Sequence, residues 1–225
     1  MPRLAPVRAL VTGATGRVGA AIAHRLEQEG WAIFRAGSRD GDLSRPDEAR
    51  ALVERSVAEL GGLDLVVHAA GDGFTPKPVE EVIEEDWDAA FGVTAKGSFF
   101  LAQAAAPHLR ESRGLILFIE DVAAYQPWPS FAAHSAAKAA QAMLTRVLAR
   151  ALAPDIRVCG VVPGPVAVEP SQEERRAAET LLGRVGRPED VADAVVYLAG
   201  ARYATGTSLV VDGGRLLQSS TGRKP

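Results

Sequence analysis

Short, uninterrupted apolar runs alternate along this chain with longer stretches in which apolar residues recur every three or four positions. The runs cover residues 7–11, 32–35, 63–68, 115–119, 157–162 and 208–211. Apolar residues without in-and-out alternation are expected of strands buried on both faces. The periodic stretches cover 18–29, 46–60, 80–91 running on to 108, 130–152 and 188–198, and read as helices; the fourth has no internal Pro or Gly and stops before Pro154. Strand and helix alternate almost throughout, which predicts an α/β fold, a doubly wound parallel sheet of Rossmann-like type, in a single domain. Residues from about Gln218 onward are expected to form a flexible tail.

Composition narrows the function. With 225 residues, 47% of them apolar, the chain is long enough for one well-buried domain. A net charge of -3, with Arg scattered among Asp and Glu, leaves no basic stripe, so neither nucleic acid nor a membrane surface is an expected partner. Cys159 is the sole cysteine, which excludes an intramolecular disulfide and a Cys-based zinc site and suits a reducing, cytoplasmic setting. His24 and His68 have no second ligand at metal spacing, so no metal is expected. No run approaches a membrane span, and Arg3, Pro6 and Arg8 stand where a leader would carry its apolar core.

The first apolar run leads directly into Thr12-Gly13-Ala14-Thr15-Gly16-Arg17-Val18-Gly19, which opens the first helix. Glycines there allow a tight turn and a close backbone approach, and a helix N-terminus offers unpaired N–H groups to a pyrophosphate. Gly13, Thr15, Arg17, Val18 and Gly19 are therefore candidate dinucleotide ligands. At the end of the second run no carboxylate stands at Ala36 or Gly37, while Arg35 and Arg39 flank them beside Ser38. Guanidinium groups there favour the 2′-phosphate of NADP(H) over the bare ribose of NAD.

A second cluster joins a carboxylate, an imidazole and an ammonium. Asp121 follows the fourth run, and His134 and Lys138 lie four apart on the helix beyond it, sharing a face. Taken alone, such an i, i+4 pair reads as a solvated helix surface.

Together these residues resemble the short-chain dehydrogenase/reductase family. The resemblance spans Thr12 to Gly19, the adenine-side Asp42-Leu43-Ser44, and His68-Ala69-Ala70-Gly71 in place of the family's Asn-Asn-Ala-Gly. It continues through Lys138, four residues after the catalytic-tyrosine position, Pro163-Gly164, and Val211-Asp212-Gly213-Gly214. It implies a 1–217 NADP-binding reductase domain in which Asp42, Leu43, Ala69, Ala70, Gly71, Lys138, Pro163, Gly164 and Val166 contribute to the cofactor site. A homo-oligomer, tetramer or dimer, is also implied. Within that family the chain resembles bacterial pteridine reductases, which share Arg at position 17 and Asp at position 121. Three departures stand out: His134 occupies the catalytic Tyr position, Thr94 that of the assisting Asn, and the chain is short between the second strand and Asp42, so one sheet edge is expected to be trimmed. The resemblance makes Asp121, His134, Lys138 and Thr94 the catalytic set, with the proton given by His134 directly or through one water, or by Asp121. Arg17, Phe74, Trp128 and Pro165 are expected around a small-molecule substrate, under a lid formed by 165–174. The expected activity is NADPH-dependent reduction of a pteridine-like or other small carbonyl or imine substrate. The lost Tyr and Asn keep open a catalytically weak or inactive cofactor-binding member, and an ordinary ketoacyl or carbonyl reductase is a further alternative.

Overall fold

The uninterrupted apolar runs do form strands, and every adjacent pair in the sheet is parallel. The computed structural model describes residues 7–71 and 75–218. The strands are β1 (Arg8–Thr12), β2 (Ala32–Ala36), β3 (Leu65–His68), β4 (Leu115–Ile119), β5 (Arg157–Pro163) and β6 (Ser208–Val211), in the order β2-β1-β3-β4-β5-β6. The order reverses between β1 and β3, where open α/β sheets place a ligand crevice at the carboxyl ends. The helices are α1 (Arg17–Gln28), α2 (Pro46–Leu60), α3 (Glu84–Phe91), α4 (Gly97–Ser112), α5 (Ala132–Leu152), α6 (Glu173–Ala177) and α7 (Pro188–Gly200).

Both faces of the sheet are covered, which is why its central strands lack polar alternation. On one face Leu10, Ile116 and Phe118 pack with Leu52, Leu101 and Leu148 of α2, α4 and α5. On the other, Val11, Val67 and Leu117 pack with Ile22 and Leu26 of α1 and Val191 and Val195 of α7. As expected, β2 is an edge strand and the chain enters α2 soon after it.

Two expectations need correction. Strand β3 starts at Leu65 rather than residue 63, because Asp64 is engaged by the Arg8 guanidinium and backbone N–H at 2.8 Å. The single helix expected over 80–108 is divided: a π turn over Gly92–Lys96 separates α3 from α4. Glycines flank the break, and a Cβ at Gly92 would lie 2.9 Å from Ser44 Cβ, one at Gly97 3.0 Å from the Leu43 carbonyl oxygen. Past β5, the segment expected as a lid leads into the short α6. The tail expected over 218–225 lies, beyond Gln218, outside the described residues.

His68 ties three of these parts together. Its ring is fully buried, with Nδ1 2.9 Å from Thr12 Oγ1 on β1 and Nε2 3.1 Å from the Val93 carbonyl oxygen in the π turn. A carbonyl only accepts, so Nε2 carries the hydrogen and Nδ1 accepts from the Thr12 hydroxyl, which requires the neutral ring. Burial pushes its pKa from 6.5 down to about 4, with the Lys138 charge adding to the fall and the Val93 bond opposing it. Below pH 6.5 the unfolded chain takes up a proton that the native ring refuses until pH falls to about 4. Stability should therefore be full above that window and decline through it, by roughly 3 kcal/mol at the extreme. Urea unfolding at a series of pH values should show this decline in the native protein and a smaller one in His68→Asn.

Candidate active site

The carboxyl ends of β1, β2 and β3 enclose a cleft of 420 Å³ lined by Thr12, Gly13, Thr15, Gly16 and Ala36, by Gly37, Ser38, Gly41, Asp42 and Leu43, and by Leu52, Ala69, Ala70, Gly71 and Val93. This volume lies in the range of small-ligand and cofactor sites. Its floor exists only because Cβ atoms are missing. Gly13 has φ +67 and a Cβ there would lie 2.6 Å from the Ala69 and Ala70 backbone; at Gly19 it would lie 2.2 Å from the Gly13 carbonyl oxygen. Helix α1 starts at the cleft from Gly16, with no side-chain cap and no acidic residue in its first turn. Its first N–H groups and dipole are thus arranged for an anion such as a pyrophosphate. Asp42 accepts from the Ser44 N–H at 2.9 Å, and its bonds to Ser44 hold its pKa below the usual carboxylate value.

Of the expected cofactor residues, Gly13, Thr15, Ser38, Asp42, Leu43, Ala69, Ala70 and Gly71 all line this cleft. Gly19 and Val18 stand behind it, Gly19 as the close contact just described and Val18 packed on the α1 side of the core. Arg35 is directed elsewhere: its guanidinium makes a two-pronged pair with Glu27 of α1 at 2.9 and 2.7 Å. Arg39, next in sequence to the cleft-lining Ser38, is exposed and has no ion pair among the described residues. Arg17 bridges to the loop after β5, donating to the Ala167 carbonyl at 2.6 Å and pairing with Glu169.

Asp121, His134 and Lys138 do come together, and the helix-surface reading of the pair fails. His134 and Lys138 are each only 6% exposed. The Asp121 carboxylate has one oxygen on the Ala123 N–H at 2.8 Å and the other 3.4 Å from His134 Nε2. One turn deeper, Lys138 Nζ donates to the Ile119 carbonyl oxygen at 2.7 Å and to Gln141 Oε1 at 3.1 Å. Burial lowers the Lys138 pKa, while Asp121 and Glu120 oppose the shift. Thr94 is fully buried in the π turn, and its hydroxyl has no hydrogen-bond partner among the described residues.

Sequence reasoning missed Glu120. This buried carboxylate accepts from the hydroxyls of Thr145 at 2.7 Å, Ser208 at 3.0 Å and Tyr125 at 3.0 Å. It also missed Gln141, whose one signal is an amide among the alanines one turn past Lys138.

The expected substrate pocket is only partly assembled. Pro165 and its neighbours Gly164 and Val166 line a second groove of 520 Å³ with Leu181 and Leu182, and Pro163 ends β5 as a buried residue. Trp128 is half-buried, edge-on to Phe131 at 5.8 Å, in the loop between Asp121 and His134. Phe74 lies outside the described residues. Among the described residues no helix is long and apolar enough to cross a membrane.

Residues 34–215 match the family model described as enoyl-(acyl carrier protein) reductase. The chain belongs to the short-chain dehydrogenase/reductase family. It is 34% identical over 243 residues to 4-formylbenzenesulfonate dehydrogenase of Comamonas testosteroni, covering 92% of this chain and 96% of that one. It is 35% identical to 3beta-hydroxysteroid dehydrogenase 1 of Eggerthella lenta, covering 92% and 93%. Among solved structures, the 3-ketoacyl-(acyl-carrier-protein) reductase of Brucella melitensis complexed with NADH superposes with a TM-score of 0.88 at 27% identity, covering 93% of this chain and 98% of that one. Family members are oxidoreductases that bind NAD(P)(H), and the glycine-floored cleft fits such a group. Adding a methyl group at Gly19 should collapse it: Gly19→Ala is expected to weaken dinucleotide binding at least about tenfold in calorimetry and to lower stability by roughly 1–3 kcal/mol.

Proposed function

We propose that the protein is an NADP(H)-dependent reductase of small carbonyl or cyclic imine substrates, pterin-like rings included, with the His134–Asp121 pair in the proton-transfer role. The observation that carries this reading is the 3.4 Å contact between His134 Nε2 and Asp121 Oδ2, directly above the buried Lys138. Bound NADP(H) is the source or sink of the hydride. Lys138 holds the nicotinamide ribose through an N–H, because an ammonium is a compact group with three donors. His134 and Asp121 hold one proton between imidazole and carboxylate and deliver it to the substrate oxygen or ring nitrogen. Asp121 at this position and Arg17 at the glycine turn support the imine side of the substrate class. The NADP preference rests on Arg39. The nearby Asp40 carboxylate is turned onto the Gly37 N–H at 2.8 Å, and Arg35 is engaged by Glu27, which leaves Arg39 as the guanidinium for a 2′-phosphate. Localisation in the cytoplasm and a tetramer or dimer fit this reading.

A second reading, a cofactor-binding member without turnover, draws on the unpartnered Thr94 hydroxyl where the family pattern has Asn. One experiment separates the two. NADPH and NADH consumption is followed with a dihydropterin, an aromatic aldehyde, a ketosteroid and a β-ketoacyl thioester. The reductase reading expects NADPH-dependent turnover with at least one substrate, reduced about a hundredfold or more in His134→Ala and Asp121→Asn. It also expects Arg39→Ala to lose the NADPH preference. Tight NADPH binding without turnover, together with activity gained in His134→Tyr, would instead establish the second reading.

A further inference from the structure

Lys138 is held from below by a chain of buried side chains whose directions are set by elementary chemistry. An ammonium only donates, so the amide oxygen of Gln141 must face it, and the amide nitrogen faces away. That nitrogen donates to Ser98 Oγ at 2.8 Å, and Ser98 Oγ donates to the Thr94 carbonyl oxygen at 2.5 Å. Gln141, Ser98 and Thr94 are all fully buried. Every donor in the chain points away from Lys138, and the chain ends on a backbone carbonyl inside the π turn that joins α3 to α4.

We infer that Gln141 and Ser98 are positioning residues that clamp Lys138 as an ammonium, leaving one N–H for the nicotinamide ribose, and that the chain they form is closed to proton passage. Sending a proton along it toward Lys138 would require a donor at its far end, where the Thr94 carbonyl has none, and an amide in its imidic form. The proton consumed in reduction then enters from the His134–Asp121 side, where the Asp121 side chain is 25% exposed. The inference rests on the reading of Lys138 as the ribose anchor.

The charged groups acting on Lys138 are Asp121 and Glu120 beyond β4, its own charge is felt by His68 at the end of β3, and His134 lies one turn back on α5. The two carboxylates favour the ammonium and burial opposes it. The Gln141 oxygen adds a charge-assisted acceptor to the favourable side. Without it, the neutral amine should take over at a lower pH.

The test is NADPH binding to the full chain, followed by fluorescence from about pH 7 to about pH 11, which runs up through the ordinary lysine value. Gln141→Leu should bind about tenfold more weakly at neutral pH and lose binding at an alkaline pH about one unit lower than the native protein does. Gln141→Glu keeps an oxygen against Nζ and should return affinity to within about threefold, with the alkaline loss moved upward. A folded Gln141→Leu that binds like the native protein at every pH overturns the inference. Should that variant not fold, Ser98→Ala removes the amide's acceptor together with the bond to the Thr94 carbonyl, leaves the Gln141 oxygen in place, and is expected to weaken binding about threefold; unchanged affinity there overturns it equally. A native protein that binds neither NADPH nor NADH overturns the cofactor reading itself, an outcome separate from native binding with an indifferent Gln141.

Discussion

A parallel sheet covered on both faces admits only one kind of connection, a return crossing over a face, so all its strands deliver their carboxyl ends to one edge. That constraint gathers the strand-end residues of the candidate site. The glycine turn after β1, the His68–Gly71 segment after β3 and the Glu120–Asp121 pair after β4 are far apart in sequence. They become neighbours because Thr12 is in register with His68, and His68 with Phe118. The site is thus a product of strand pairing before any side chain interacts with a ligand.

Polar groups buried along this edge make the arrangement rigid. Desolvating an ionic or polar group is tolerable only when its hydrogen bonds are met. His68 meets both ring nitrogens by joining β1 to the π turn, Glu120 collects three hydroxyls, and Lys138 is anchored on the β4 backbone and Gln141. These buried groups at the candidate site also hold helices and strands in place, so fold and site cannot be altered independently here.

The sheet and most helices were legible because apolar runs and helical periodicity are local signals. The glycine cleft was legible for the same reason, since Gly13 to Gly19 is one continuous segment. What escaped was non-local. Arg35 read as a cofactor ligand because nothing in its neighbourhood shows that Glu27, on the preceding helix, would engage it. Arg17 likewise meets Glu169 far along the chain. His134 and Lys138 resembled an exposed pair because helical spacing gives a shared face and says nothing of which way that face turns. The division of the third helical stretch was visible only as two glycines, and their meaning depends on Leu43 and Ser44 lying against them.

The trimmed edge gives Arg35 a different task. β2 closes the sheet on one side with five residues, and among the described residues no further strand pairs with its outer side. Such an edge invites pairing with a strand of another molecule, and short length and projecting charge are the usual defences. The Arg35–Glu27 pair sets a hydrated, exposed ion pair beside that border. The pair that turns Arg35 onto α1 thereby lays charge beside the open border of the sheet, where charge disfavours backbone pairing with a second strand.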